Sequence, residues 1–162
     1  MNFRHGHRGG AYYRVCDPSL TDCADTTYSK RYGGRWNPAG TFGALYLTAS
    51  LSAAVAHARR ALRLQFGEAI TFDDLQETAR PHLVHFFIEE HEFVDGGSND
   101  GRTAMGPSQA LGLIAWQKHE AGIAARSAVL ETEDELALFD THLHLQQMGA
   151  HEPFETWYPG VG

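Results

Sequence analysis

A cluster of glycine, basic and aromatic residues lies between Tyr28 and Gly40, with the sequence YSKRYGGRWNPAG. Its adjacent glycines allow the backbone to approach a ligand closely. Arg35 supplies a planar group of fixed charge that suits a phosphate. The rings of Tyr28, Tyr32 and Trp36 offer flat faces for a base. The combination indicates nucleotide binding, although a glycine-rich turn around one core tryptophan accounts for the same composition.

The ten histidines are the other residues that could carry chemistry. His142 and His144 are two positions apart, and a strand here would place both imidazoles on one face. The eighteen residues after His144 are too few for the barrel that a D-x-H-x-H strand serves in the amidohydrolase superfamily. No Cys-x-x-Cys, His-Glu-x-x-His, P-loop or G-x-S-x-G motif is present. We therefore predict no metal site and no metal cofactor.

Apolar runs predict the strands of a sheet, and helical patterns lie between them. The predicted strands are 11–15, 43–48, 82–89, 123–130 and 135–139. The predicted helices are 51–66, 73–78 and 108–121. The predicted loops are 17–34 and 94–107. The tail, residues 146–162, is polar and is expected to be mobile.

The helix predicted at 51–66 has the clearest boundaries. Ser50 is its predicted N-cap and Gly67 its predicted stop. Ala54, Ala58 and Leu62 recur every four residues and form its predicted buried stripe. This helix is therefore expected to pack against the sheet.

The composition excludes several classes of protein. A 162-residue chain that is 43% hydrophobic and 20% charged is typical of one soluble globular domain rather than a disordered chain. No apolar run approaches the ~20 residues of a membrane helix, and the N-terminus does not resemble a signal peptide. We therefore expect a cytoplasmic protein, with no membrane as partner and with Cys16 and Cys23 reduced.

The charge is unevenly distributed along the chain. Its net value of −7 disfavours a broad nucleic-acid-binding surface, so no direct nucleic-acid partner is predicted. Residues 1–63, however, hold nine basic and three acidic groups, and eleven of the thirteen basic residues in the chain are arginines. Either the two parts of the chain pair with each other, or the first part forms a local site for a phosphate or pyrophosphate.

The order of these motifs resembles the RES domain family. The segments that carry the resemblance are YRV at 13–15, GGRWNPAG at 33–40, LYL at 45–47, SQALG at 108–112 and GIAARSA at 122–128. The resemblance implies a single domain over residues 1–162, with a core at about 10–140. It implies an α+β fold similar to the ADP-ribosyltransferases, in which helices flank a mixed β-sheet core.

The resemblance also implies a function. RES proteins are toxins of bacterial toxin–antitoxin pairs, and their partner is an Xre-like antitoxin with a helix-turn-helix. Members use NAD⁺ as a substrate, by hydrolysis or phosphorolysis of the nicotinamide–ribose bond or by transfer of ADP-ribose. Inorganic phosphate is then a co-substrate of the phosphorolysis, and no separate cofactor is expected. The sequence is compatible with a homo-oligomer.

Six residues form the site that the resemblance and the composition together indicate. Arg14 and Ser127 match the arginine and serine of the family and are expected catalytic residues, with Arg14 on the pyrophosphate or the nicotinamide ribose. Tyr46 is expected beside the nicotinamide. Tyr28 and Arg35 are expected to bind the substrate as well. We expect the scattered Arg14, Arg35, Tyr46, Ser127 and the helical residue at position 57 to converge on one cleft.

Position 57 departs from the family pattern. The family glutamate is expected about seven residues after Ser50, where this chain has His57. Since cleavage of NAD⁺ develops positive charge on the ribose, a carboxylate there would stabilise it and a neutral imidazole would not. Either His57 serves a changed mechanism, another acid such as Asp17 or Glu68 reaches the site, or the domain is catalytically silent and binds only a nucleotide or a partner.

Overall fold

A computed structural model describes residues 2–97, 105–127 and 133–159. The strands are β1 (His5–Cys16), β2 (Ala44–Thr48), β3 (His82–Gly97), β4 (Gly122–Arg126), β5 (Asp134–Phe139) and β6 (Gln146–Glu152). The helices are α1 (Thr27–Tyr32), α2 (Leu51–Phe66), α3 (Met105–Gln117) and α4 (Phe154–Trp157). Short 3₁₀ helices cover Phe72–Asp74, Glu77–Ala79 and Asp140–Leu145. The predicted α+β class, a mixed sheet with flanking helices, is confirmed.

All six strands belong to one sheet, in the order β1-β2-β5-β4-β3-β6. β1 also pairs along β3, so that β1, β2, β5, β4 and β3 form a closed circuit of pairings. The β3–β4 pair is parallel and the other five named pairs are antiparallel. One buried cluster draws side chains from all five strands of the circuit, among them Tyr12, Leu47, Ile88, Ala124 and Leu136. The main core therefore lies between these strands.

α2 forms as its sequence predicts. The Ser50 hydroxyl accepts a hydrogen bond from the Ala53 amide at 3.1 Å, which satisfies one of the free donors of the first turn. Gly67 ends the helix with a φ of 88°, a backbone conformation that favours glycine. The stripe of Ala54, Ala58 and Leu62 is buried. The small side chains of Ala54 and Ala58 let α2 lie close to β1 and β2.

Trp36 fixes the glycine-rich segment to the outer face of the sheet, on the side away from the main core. Its side chain is fully buried among Phe42, Ile123 and Phe139. α3 crosses directly over it, because Gly112 has no side chain: a Cβ there would overlap the Trp36 carbonyl oxygen. This burial agrees with the alternative of a glycine-rich turn around one core tryptophan, and the Trp36 ring does not offer a free face for a base.

Cys16 and Cys23 form a disulfide, with their Cα atoms 6.0 Å apart, so the expectation of two reduced cysteines was wrong. That expectation used cellular compartment and cysteine number, neither of which describes geometry. Asp17–Asp22 turn the chain back, and Cys23 returns to the end of β1. Both cysteines are buried in the main core.

Several local expectations also differ from the structure. Residues 27–32, expected as loop, form α1. His142 and His144 lie in a 3₁₀ helix rather than a strand. The segment after residue 145, expected as a polar and mobile tail, adds β6 to the edge of β3 and continues into α4, where Phe154 and Trp157 are buried. Burial of these two aromatic side chains holds the segment against the rest of the protein, although most of its residues are polar.

β3 is longer than expected and ends at Gly97 instead of Glu89. β4 ends at Arg126, and residues 128–130 of the predicted strand lie outside the described residues. None of the helices in the described ranges is long and apolar enough to span a membrane.

Candidate functional site

A cavity of about 460 Å³ opens between the ends of β1 and β2, α2 and the glycine-rich segment. Five of the six residues predicted for the site line this cavity: Arg14, Tyr28, Arg35, Tyr46 and His57. They come from five separate parts of the chain, so the sheet and α2 bring them together. The lining also includes Arg60 and Glu135, which the sequence analysis did not single out.

Arg14 projects from β1 and is held by the segment that follows the disulfide. Its Nη1 donates a hydrogen bond of 2.8 Å to the Cys23 carbonyl oxygen. Burial lowers the pKa of Arg14, while the nearby carboxylates of Asp25 and Asp22 act in the opposite direction. Because arginine titrates so far above neutrality, the guanidinium still carries its charge at neutral pH. It is therefore a fixed, oriented cation at the cavity wall.

His57 lies on the face of α2 that lines the cavity. Burial, with a smaller contribution from Arg60, lowers its pKa from 6.5 to about 4. The ring is therefore neutral at pH 7. Its Nε2 is buried and has no hydrogen-bond partner within the described structure. A buried ring nitrogen in this state is suited to a hydrogen bond with a ligand hydroxyl.

The shift of His57 predicts a pH dependence of stability. Its pKa is lower in the folded than in the unfolded state, so the unfolded chain binds more protons between about pH 4 and 6.5. The free energy of unfolding should hence fall as pH falls through this window, by up to about 3 kcal/mol. Urea unfolding at intervals from pH 4 to pH 8 measures it. His57→Gln, which does not titrate, should flatten the profile; parallel profiles for the two proteins would contradict the buried neutral state.

Arg35 and Glu135 form a buried ion pair in the cavity wall, with 3.6 Å between Arg35 Nη1 and the nearer carboxylate oxygen. Both residues are less than 10% exposed. The same Nη1 donates to the Arg126 carbonyl oxygen at 2.7 Å, and the guanidinium lies over the Trp36 ring. Arg35 therefore joins the glycine-rich segment to β4 and β5, and it fixes the position of the Glu135 carboxylate.

Tyr46 presents its ring to the cavity and anchors its hydroxyl in the glycine-rich segment. The hydroxyl donates to Asn37 Oδ1 at 2.6 Å and accepts from the Trp36 amide at 2.9 Å. Burial raises the pKa of Tyr46 well above its usual range. Gly34 packs against this ring so closely that a Cβ would lie 2.6 Å from the Tyr46 hydroxyl oxygen. The tyrosine is thus a neutral, rigid surface.

Tyr28 and Ser127 occupy very different environments. Tyr28 lies on α1 at the cavity mouth, is 72% exposed, and packs against the ring of Tyr32 at 4.7 Å. Ser127 is 2% exposed and is not among the residues that line the cavity. Its amide donates to the Glu133 carbonyl oxygen at 2.8 Å, next to the Arg126 carbonyl that holds Arg35. Ser127 is therefore buried next to the backbone carbonyl that holds Arg35, and its expected catalytic role stays a prediction.

Glu135 and Arg60 each had a signal in the sequence. Glu135 begins a strand whose next four residues are all apolar, and a charge in such a strand indicates a specific partner. The sequence analysis placed Glu135 at the start of the predicted strand 135–139 but assigned it no partner and no role. Arg60 is three positions after His57 and so shares its helix face. Asp17 and Glu68, the acids considered for the site, are not among the lining residues.

The lining residues combine a positive wall with one buried acid. Arg14, Arg60 and Arg35 carry three positive charges, Glu135 carries one negative charge, and His57 is neutral. A cavity of this charge and size, with aromatic surfaces at Tyr46 and Tyr28, is suited to a nucleotide diphosphate.

A family model of the RES domain matches residues 11–157. The chain belongs to the RES domain family. The match extends from the second half of β1 to the end of α4 and includes every residue that lines the cavity. A comparison with curated protein sequences gave no match.

A solved structure has the same fold as this RES domain. It is the crystal structure of the M. tuberculosis MbcT–MbcA toxin–antitoxin complex, in which the matching chain has a TM-score of 0.71 and 22% sequence identity. The alignment covers 90% of this chain and 84% of that chain. At this level of identity the similarity establishes the fold.

Proposed function

We propose that this RES domain is the toxin component of a toxin–antitoxin pair and that its cavity binds NAD⁺ and cleaves the nicotinamide–ribose bond. Membership of the RES family supports this role. So does the shared fold with a chain of a toxin–antitoxin complex. The observation that carries the proposal is the cavity itself, which gathers fixed cations, aromatic faces and one buried carboxylate.

The lining residues divide into groups that suit different parts of NAD⁺. Arg14 and Arg60 provide charges for the pyrophosphate. The rigid Tyr46 ring provides a face for the nicotinamide, and Tyr28 at the mouth is placed for a more exposed part of the nucleotide. The unpartnered Nε2 of His57 accepts a hydrogen bond from a ribose hydroxyl.

Glu135 is the carboxylate that we assign to the bond cleavage. When the C1′–N1 bond breaks, its electron pair goes to the nicotinamide ring, which leaves neutral, and positive charge develops on the ribose. A carboxylate fixed nearby, in a site with little water, stabilises that charge without reorganising. In this assignment β5 supplies the acid that is absent from α2 at His57.

The acceptor of the ribosyl group distinguishes three reactions. Attack by water gives ADP-ribose, attack by inorganic phosphate gives a phosphorylated ADP-ribose, and attack by a protein side chain gives an ADP-ribosylated protein. In each case the acceptor atom forms the new bond to C1′. Water or a neutral side chain loses one proton in this step, whereas an ionised phosphate oxygen has none to lose. We propose an Xre-like helix-turn-helix antitoxin as the protein partner that restrains the reaction, and a cytoplasmic location, where NAD⁺ is available.

A catalytically silent module is the second candidate. The observation that favours it is the neutral His57 at the helix position where the family pattern has glutamate. Such a module would keep the cations and aromatic faces that bind a nucleotide, or would bind only the partner protein. It would bind NAD⁺ or ADP-ribose without turnover, which separates it from the enzyme.

NAD⁺ consumption by the purified protein, with and without phosphate, tests the proposal. Arg14→Ala should lower kcat/KM by about 100-fold or more, because it removes a half-buried charge that orients the substrate. Arg8→Ala is the matched control, since Arg8 is also on β1 but pairs with Asp134 outside the cavity. Equal losses in the two variants would exclude this cavity as the site, and binding without turnover in the unmodified protein would favour the silent module.

A further inference from the structure

We propose that the Cys16–Cys23 disulfide positions Arg14, so that the oxidation state of this cysteine pair sets the affinity of the cavity for a pyrophosphate-containing ligand. The identity of that ligand as NAD⁺ rests on the proposed function. The geometry of the disulfide and of Arg14 does not depend on it.

One residue supplies both the covalent link and the hydrogen-bond acceptor. The sulfur of Cys23 is bonded to Cys16 at the end of β1, and the Cys23 carbonyl accepts the 2.8 Å hydrogen bond from Arg14. Arg14 itself lies two residues before Cys16 on the same strand. The disulfide thus closes a small ring that fixes the acceptor relative to the strand from which the guanidinium projects.

The disulfide also attaches a wall of the cavity to the sheet. Two turns surround and follow Cys23: the Asp22 carboxylate accepts from the Ala24 amide, and the Asp25 carboxylate accepts from the Thr27 amide. These turns lead directly into α1, whose Tyr28 and Ser29 line the cavity. Before Cys23, the turn formed by residues 17–22 is mostly exposed. The covalent bond therefore closes the route by which this segment would separate from β1.

Reduction would free the acceptor. A dithiol reductant donates two electrons and two protons: the bond between the Cys16 and Cys23 sulfurs breaks, each sulfur becomes a thiol, and the reductant leaves as its own cyclic disulfide. Both cysteines are nearly inaccessible, at 1% and 5% exposure, so the exposed turn must open before the reductant reaches them. Once the Cys23 carbonyl moves, the Arg14 guanidinium loses its fixed orientation toward the cavity.

Kinetics of the oxidised and the dithiothreitol-treated protein test the proposal. Thiol titration of unfolded samples verifies the two states, and far-UV circular dichroism verifies that the reduced protein stays folded. We expect the KM for NAD⁺ to rise by about tenfold or more on reduction, the effect of one lost hydrogen bond to a charged group, with a much smaller change in kcat. The C16S/C23S variant should show the raised KM and should not respond to the reductant. An equal KM in both oxidation states overturns the proposal.

A second measurement is independent of catalysis. In ¹⁵N-resolved NMR of arginine side chains, Arg14 should show slow exchange of its guanidinium protons in the oxidised protein and fast exchange after reduction, with Arg14→Lys used to assign the signal. The binding of inorganic pyrophosphate, measured by calorimetry, should weaken in parallel. If no form of the protein consumes NAD⁺, the proposed function fails, yet the Arg14 signal still decides this inference. An Arg14 signal unchanged by reduction overturns it.

Discussion

Replacing Glu135 with glutamine is expected to lower the rate of NAD⁺ cleavage by about 10²–10³-fold, the usual loss when one fixed electrostatic group is removed from a water-poor site. Glutamine keeps the size of the side chain and an oxygen that can accept from Arg35, but it carries no charge. NAD⁺ binding should change far less than kcat, because the positive charge on the ribose develops only as the bond breaks. Single-turnover kinetics with saturating NAD⁺ measure the chemical step directly.

Two variants make the Glu135 experiment specific. Glu133→Gln removes a carboxylate two residues earlier, in the turn before β5, and should retain turnover close to that of the unmodified protein. His57→Glu combined with Glu135→Gln should recover part of the lost rate, since it restores a carboxylate to the cavity from α2. Loss of the buried Arg35–Glu135 ion pair also destabilises the protein. The activity of each variant is therefore measured at a temperature well below its melting temperature. Full activity of Glu135→Gln would remove Glu135 from the mechanism.

Replacing Trp36 with alanine is expected to lower the free energy of unfolding by about 3–5 kcal/mol, as for other buried aromatic residues. The Trp36 side chain is fully buried, and Arg35 and α3 both pack against this residue. Its removal leaves a cavity beneath α3 that rigid neighbours cannot refill. For a chain of this length the loss should lower the melting temperature by roughly 10 °C.

Trp36→Phe provides the graded comparison for Trp36→Ala. A phenyl ring fills part of the volume and should recover part of the stability. Urea unfolding followed by far-UV circular dichroism avoids the loss of the Trp36 fluorescence signal itself. A Trp36→Ala protein with an unchanged urea midpoint would show that burial of the Trp36 side chain contributes little to the free energy of unfolding.

Features set by neighbouring residues could be predicted from the sequence. Ser50 caps α2 through an amide three residues away, and Gly67 ends α2 by its own backbone freedom. The buried stripe of α2 follows from the helical repeat. The basic and aromatic residues near Arg35 were recognised for the same reason, since the motif that marks them is continuous in the sequence.

The tertiary structure decided which distant groups share the cavity. Glu135 enters it because β5 pairs with β2 in the register that places Glu135 beside Thr48, and register depends on the whole sheet. Cys16 and Cys23 meet because the intervening turn brings them back together, which no count of cysteines reveals. Ser127 is buried at the end of β4, next to the Arg126 carbonyl that accepts from Arg35, a position that depends on the pairing of β4 with β5. Local interactions act within a few residues of the chain, whereas these placements depend on strand pairings and turns that form only in the complete fold.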